Sequence, residues 1–79
     1  MPMTKETQRN QLESAHIFVS GLPIMQAKSA ASRLMRDNLE AAYSDALDAF
    51  NAARSHKQRN EALGAYFTYA GSIILGPQS

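Results

Sequence analysis

Cysteine is absent from the 79-residue chain, which excludes disulfides, thiolate zinc sites and cysteine nucleophiles together. A small fold without such staples fits a reducing compartment, so the sequence predicts a cytoplasmic protein. Glycine and proline are scarce, with four of one and three of the other, and they punctuate the chain only at Pro2, Gly21, Pro23, Gly64, Gly71, Gly76 and Pro77. Few breakers and abundant alanine are helical composition. Charge of either sign is missing from residues 62–79. An excess of one sign is missing from the whole: 8 Lys+Arg against 7 Asp+Glu leave a net charge of +1, which gives no global pull toward nucleic acid or anionic lipid. The N-terminal residues are polar and mixed in charge, without the apolar run of a secretory signal.

What is present reads as one all-α domain of three helices. The first is expected over residues 5–20, with Thr4 as N-cap and Glu6 in the first turn, and it places Leu12, Ala15, His16 and Val19 on one face. Gly21 is expected to close it in the left-handed conformation, and Pro23 to open the next helix, where no hydrogen bond is lost. From residue 24 to 54 there is neither Gly nor Pro. Ile24, Ala27, Ala31, Leu34, Met35, Leu39, Ala42, Ala46, Ala49 and Ala53 stay within one stripe at 100° per residue. One helix of about 31 residues, roughly 46 Å long, is therefore preferred. The competing reading breaks it near Asp37 and Asn38, where Asp37 and Glu40 have capping-box spacing. Ser55 and Gln58 repeat that spacing before a last helix at residues 57–75, which turns back antiparallel as a hairpin and ends at Gly76-Pro77.

The uncharged stretch needs cover. A membrane span takes about 20 consecutive apolar residues, and residues 62–75 are interrupted by Thr68, Ser72 and two tyrosines. A helix lying flat on a membrane usually carries a Lys/Arg-rich face, and no cation follows Arg59. Burial against protein is the remaining answer. Ala42, Ala46, Ala49 and Ala53, facing Gly64 and Gly71, would let two helices approach closely. The rear of the last helix, with Ala65, Thr68, Tyr69 and Ser72, is neutral where a solvated helix normally shows charge. Tyr43, Leu47 and Phe50 on the flank of the long helix also need partners, as do Tyr66 and Ile73. The expectation is a homodimeric helical bundle in which the first helix packs across one end. Asn38 either pairs with its mate to fix register or sits at a bend or the bundle end.

Little points to chemistry. Neither His16 nor His56 has the i, i+4 partner of a helical metal site, and no metal or other cofactor is expected. His16 reads as an edge-of-core histidine, and Glu40, Asp45 and Asp48 as a solvated face. The sequence contains no phosphate-cradling glycine loop and no nucleophile, histidine and acid in a catalytic order. The basic turn holding Arg54, His56, Lys57 and Arg59 is a weak footprint for nucleic acid, and its cations also complement the C-terminus of the long helix. Phe18, Leu22, Met25 and Met35, with Ile24, gather near the first corner, as core or as a groove for a partner helix. The expected function is non-enzymatic: a helical modulator, inhibitor or adaptor acting through protein–protein interaction, with nucleic-acid regulation through residues 54–59 as the alternative.

Overall fold

The computed structural model describes residues 4–75, and all regular structure among them is α-helical. Four helices follow one another: α1 (Lys5–Ser20), α2 (Pro23–Gln26), α3 (Ala30–Ala52) and α4 (His56–Leu75). Thr4 caps α1 as expected, its hydroxyl accepting from the Thr7 N–H at 3.1 Å. Ser55 caps α4 by accepting from the Gln58 N–H at 3.1 Å, while the Gln58 side chain reaches back to the Arg54 N–H at 2.6 Å. That is the reciprocal pairing of a capping box, displaced by one residue at the return bond.

The long central helix is not continuous, and the break is not at Asp37-Asn38 either. Pro23 opens the single turn α2, the backbone is extended at Ala27, and Ser29 caps α3 by accepting from the Ser32 N–H at 3.1 Å. Arg36 reaches back from α3 and donates through Nη1 to the carbonyl oxygens of Met25 and Ala27, at 2.8 and 2.7 Å. Those acceptors belong to the C-terminal end of α2, where carbonyls lack helical partners. The bend folds Met25 into the core, where it is fully buried. Gly21 differs from expectation too. At φ −85° and ψ −4° it lies in the right-handed region, its N–H bonded to the carbonyls of Ile17 and Phe18.

The core is shared among all helices: Leu12 and Val19 of α1, Met25 of α2, Leu39, Ala46 and Phe50 of α3, and Ala62, Leu63, Tyr66 and Ala70 of α4. Direction follows from the side chains that meet. Gln8 bonds Asn60 and Arg59, and His16 bonds Tyr66, so residue numbers rise together along α1 and α4 and the two helices run parallel. His16 also bonds Glu40, which with the short α3–α4 connection sets α3 antiparallel to both. The first helix thus lies along the hairpin and not across its end. The molecule measures 41 × 22 × 21 Å.

This placement keeps Met35, Leu39, Ala42 and Ala46 of the expected stripe on the core and widens the buried face of α3 toward its flank. Ala27, Ala31 and Leu34 are exposed, whereas Tyr43, Leu47 and Phe50 pack on the core. Their cover is supplied within the chain. The two glycines of α4 do not face the alanines of α3, since a methyl group added at Gly64 or Gly71 would find no atom within 4 Å.

Candidate functional site

Three places merit description, and the first was not visible as a unit in the sequence. The inward stripes of α1, α3 and α4 each carry an aromatic ring with a polar tip, and such tips need partners once buried. They find one another. His16 stacks on Tyr43 with ring centroids 3.9 Å apart and planes 2° from parallel. Its Nδ1 lies 2.8 Å from the Tyr66 hydroxyl and its Nε2 lies 3.0 Å from a Glu40 carboxylate oxygen. One neutral tautomer satisfies all three groups: Nε2–H donates to Glu40, and Nδ1 accepts from the Tyr66 O–H. Glu40, expected on a solvated face, is thereby half of a bridge while still largely exposed.

The environment keeps the two phenols protonated. Burial, followed by Tyr43, Glu40 and Tyr69, pushes Tyr66 from the ordinary 10.0 up to about 12. Tyr43 is also raised, by burial and then Glu13, with Arg9 opposing and Glu40 adding to the rise. A phenol that holds its proton so firmly is a hydrogen-bond donor, poorly suited to act as nucleophile or general base near neutral pH. The cluster ties α1, α3 and α4 together. Ser20 nearby has a buried hydroxyl without a protein hydrogen bond, beside a cavity of about 190 Å³ that Met25, Arg36, Leu39 and Glu40 help to line. Among the described residues, no group of three or more His, Asp or Glu side chains is placed to hold a metal ion.

The second place is the basic turn. Arg59 does not stand free in it: its Nε donates to Gln8 Oε1 at 2.8 Å, and the same fully buried Gln8 donates through Nε2 to Asn60 Oδ1 at 2.8 Å. Arg54, His56 and Lys57 remain exposed. One of the three expected nucleic-acid contacts is thus used to seat α1 on α4.

The third is a groove of about 350 Å³ between α3 and α4, lined by Ala42, Asp45, Ala46 and Ala49 on one side and Ala62, Ala65, Tyr66 and Tyr69 on the other. Small side chains leave it open, and Asp45 is the one charged residue lining it. Of the residues expected at an interface, Phe50 and Tyr66 are buried within the chain, and Tyr43, Leu47, Tyr69 and Ile73 are half-buried against its core. Asn38, Thr68 and Ser72 are exposed, the Ser72 hydroxyl donating to the Tyr69 carbonyl at 2.7 Å. Of the residues expected in a partner groove, Met25 is buried, Leu22 and Met35 pack on the core, and Phe18 and Ile24 are exposed. Compared with protein-family models, curated proteins and solved structures, the chain matches none.

Proposed function

We propose that this is a small non-enzymatic helical protein acting through protein–protein interaction, a modulator, inhibitor or adaptor that takes a helix of its partner into the α3–α4 groove. The observation that carries this reading is the groove itself, floored by alanines and bordered by the part of α4 beyond Glu61, which carries no charge. Alanine side chains let an incoming helix approach closely, and neutral margins at Thr68 and Ser72 impose little desolvation cost. A second copy of the chain offers a helix of matching character, its own α4, so a homodimer is the simplest occupant. The lack of cysteine suits the cytoplasm as the place of action. Nucleic acid at the basic turn is the weaker reading, because Arg59 is occupied by Gln8 and two firm cations per chain remain.

The test is mass in solution. Ala65 lines the groove yet is exposed, so Ala65→Glu leaves the fold intact while placing an unpaired carboxylate where a partner helix would lie. Light scattering is expected to show a dimer for the unchanged chain and a monomer for the variant, with the same helical circular dichroism. A chain that is monomeric at all concentrations, with or without the substitution, overturns self-association.

A further inference from the structure

We propose that the end of the bundle where α1 and α4 finish and α3 begins docks on the surface of a bilayer containing anionic phospholipid, with its apolar side chains entering the interface. This goes beyond the groove reading and concerns a different surface. The parallel run of α1 and α4 brings to this end side chains that the sequence keeps far apart. Ile17 and Phe18 of α1 are 65 and 61% exposed, Ile24 of α2 45%, Leu34 of α3 61%, and Ile74 and Leu75 of α4 52 and 73%. A soluble surface bears single apolar residues without consequence, but a gathering of this kind marks an interaction site. They come from all four helices, so no single helix face accounts for them. A rigid protein partner meets one side of such a tip, whereas a lipid phase surrounds it.

Charge selects the same occupant. Residues 14–36 contain Lys28, Arg33 and Arg36 but no Asp or Glu, and residues 62–79 contain no charge at all. Asp37 follows them on α3 and is exposed, so this end carries three cations and one acid against five cations and six acids elsewhere, and a molecule of net charge +1 has its positive excess at the apolar end. Arg36 is held by the α2 carbonyls, while Lys28 and Arg33 are exposed. Two copies meeting tip to tip would bring like charges together. An anionic lipid surface is complementary to them, and apolar residues rimmed by Lys/Arg are the composition of interfacial anchors. No helix among the described residues is long and apolar enough to cross a membrane. The insertion is accordingly shallow and end-on, with the cations supplied by α3 and its lead-in and not by α4.

The experiment is co-sedimentation of the full chain with vesicles of phosphatidylcholine and phosphatidylserine in equal parts, against vesicles of phosphatidylcholine alone. Binding is expected to the anionic vesicles at low salt, weakening as salt is added. Each cation near an anionic surface is worth about fivefold in affinity, so the double variant Lys28→Gln, Arg33→Gln is expected to bind about 25-fold more weakly. Phe18→Glu, at a position that supports no core packing, is expected to lower binding at least about tenfold with helical circular dichroism unchanged. Ala65→Glu in the groove is expected to bind as the unchanged chain does, which separates this proposal from the groove reading. Absence of binding to the anionic vesicles at low salt overturns the proposal, as does undiminished binding by the Lys28, Arg33 double variant. Loss of self-association by Phe18→Glu in the absence of lipid reassigns the end to a protein contact and also overturns it.

Discussion

His16 shows how far a single residue can be read before its partners are known. Its position on the apolar face of α1 was enough to place it at the core edge, because periodicity tells inside from outside. Its partners lie 24 and 50 residues away in the chain, at Glu40 and Tyr66, and no local pattern joins them. The structural consequence is testable at Tyr66. Tyr66→Phe keeps the ring and deletes the hydroxyl, leaving Nδ1 of His16 without its donor, at a cost of about 1–2 kcal/mol in urea unfolding. The pH dependence has a definite sign. With its folded pKa at about 12 against an ordinary 10.0, Tyr66 keeps its full contribution below pH 10 and loses it as pH rises through about 12, since the unfolded chain releases that proton first. The loss is on the order of 2–3 kcal/mol. Unfolding midpoints taken below pH 10 and near pH 12 are expected to converge for Tyr66→Phe, apart from a smaller fall in the same direction from Tyr43. An equal fall in both proteins would mean that Tyr66 is not the group responsible.

At the scale of the element, capping residues were legible and the strength of a cap against a continuous stripe was not. Thr4 and Ser55 stand before polar first turns with little competition. Ser29 stands inside an unbroken alanine-rich pattern, and 100° periodicity is blind to a break that keeps the apolar residues in phase. Two tertiary interactions favour the break: Arg36 satisfies the carbonyls that the bend leaves open, and Met25 gains complete burial. Ser29→Ala is expected to cost about 1 kcal/mol, the ordinary value of an N-cap, read as a lowered urea midpoint. The glycines of α4 offer the opposite sign. They looked like contact points for the alanines of α3, yet both have open space where a methyl group would go. Gly64→Ala and Gly71→Ala are each expected to stabilise the chain by about 0.5–1 kcal/mol, since a helical glycine with open space at its Cβ loses backbone entropy and gains no packing for it. A loss of stability at either position would show that something packs against that side of α4.

For the molecule as a whole, an all-α chain was readable from composition and punctuation, and the direction of α1 was not. Periodicity identifies a buried face but carries no information on whether a neighbour runs parallel or antiparallel. That choice is made by Gln8 with Arg59 and Asn60, and by His16 with Tyr66, pairs that place α1 alongside α4 and so cover Tyr43, Leu47 and Phe50 from within. It also separates two kinds of large apolar residue in α1: Leu12, fully buried, holds the bundle, while Phe18, 61% exposed, belongs to its surface. A domain this small has a total stability of about 4–12 kcal/mol. Leu12→Ala is expected to remove about 2–5 kcal/mol of that by opening a cavity between α1 and the hairpin. Phe18→Ala is expected to change it by less than about 0.5 kcal/mol. Urea unfolding followed by circular dichroism distinguishes the two. If Phe18→Ala proved as damaging as Leu12→Ala, α1 would have to be turned on its axis relative to α4, and the apolar end of the bundle would be part of a core.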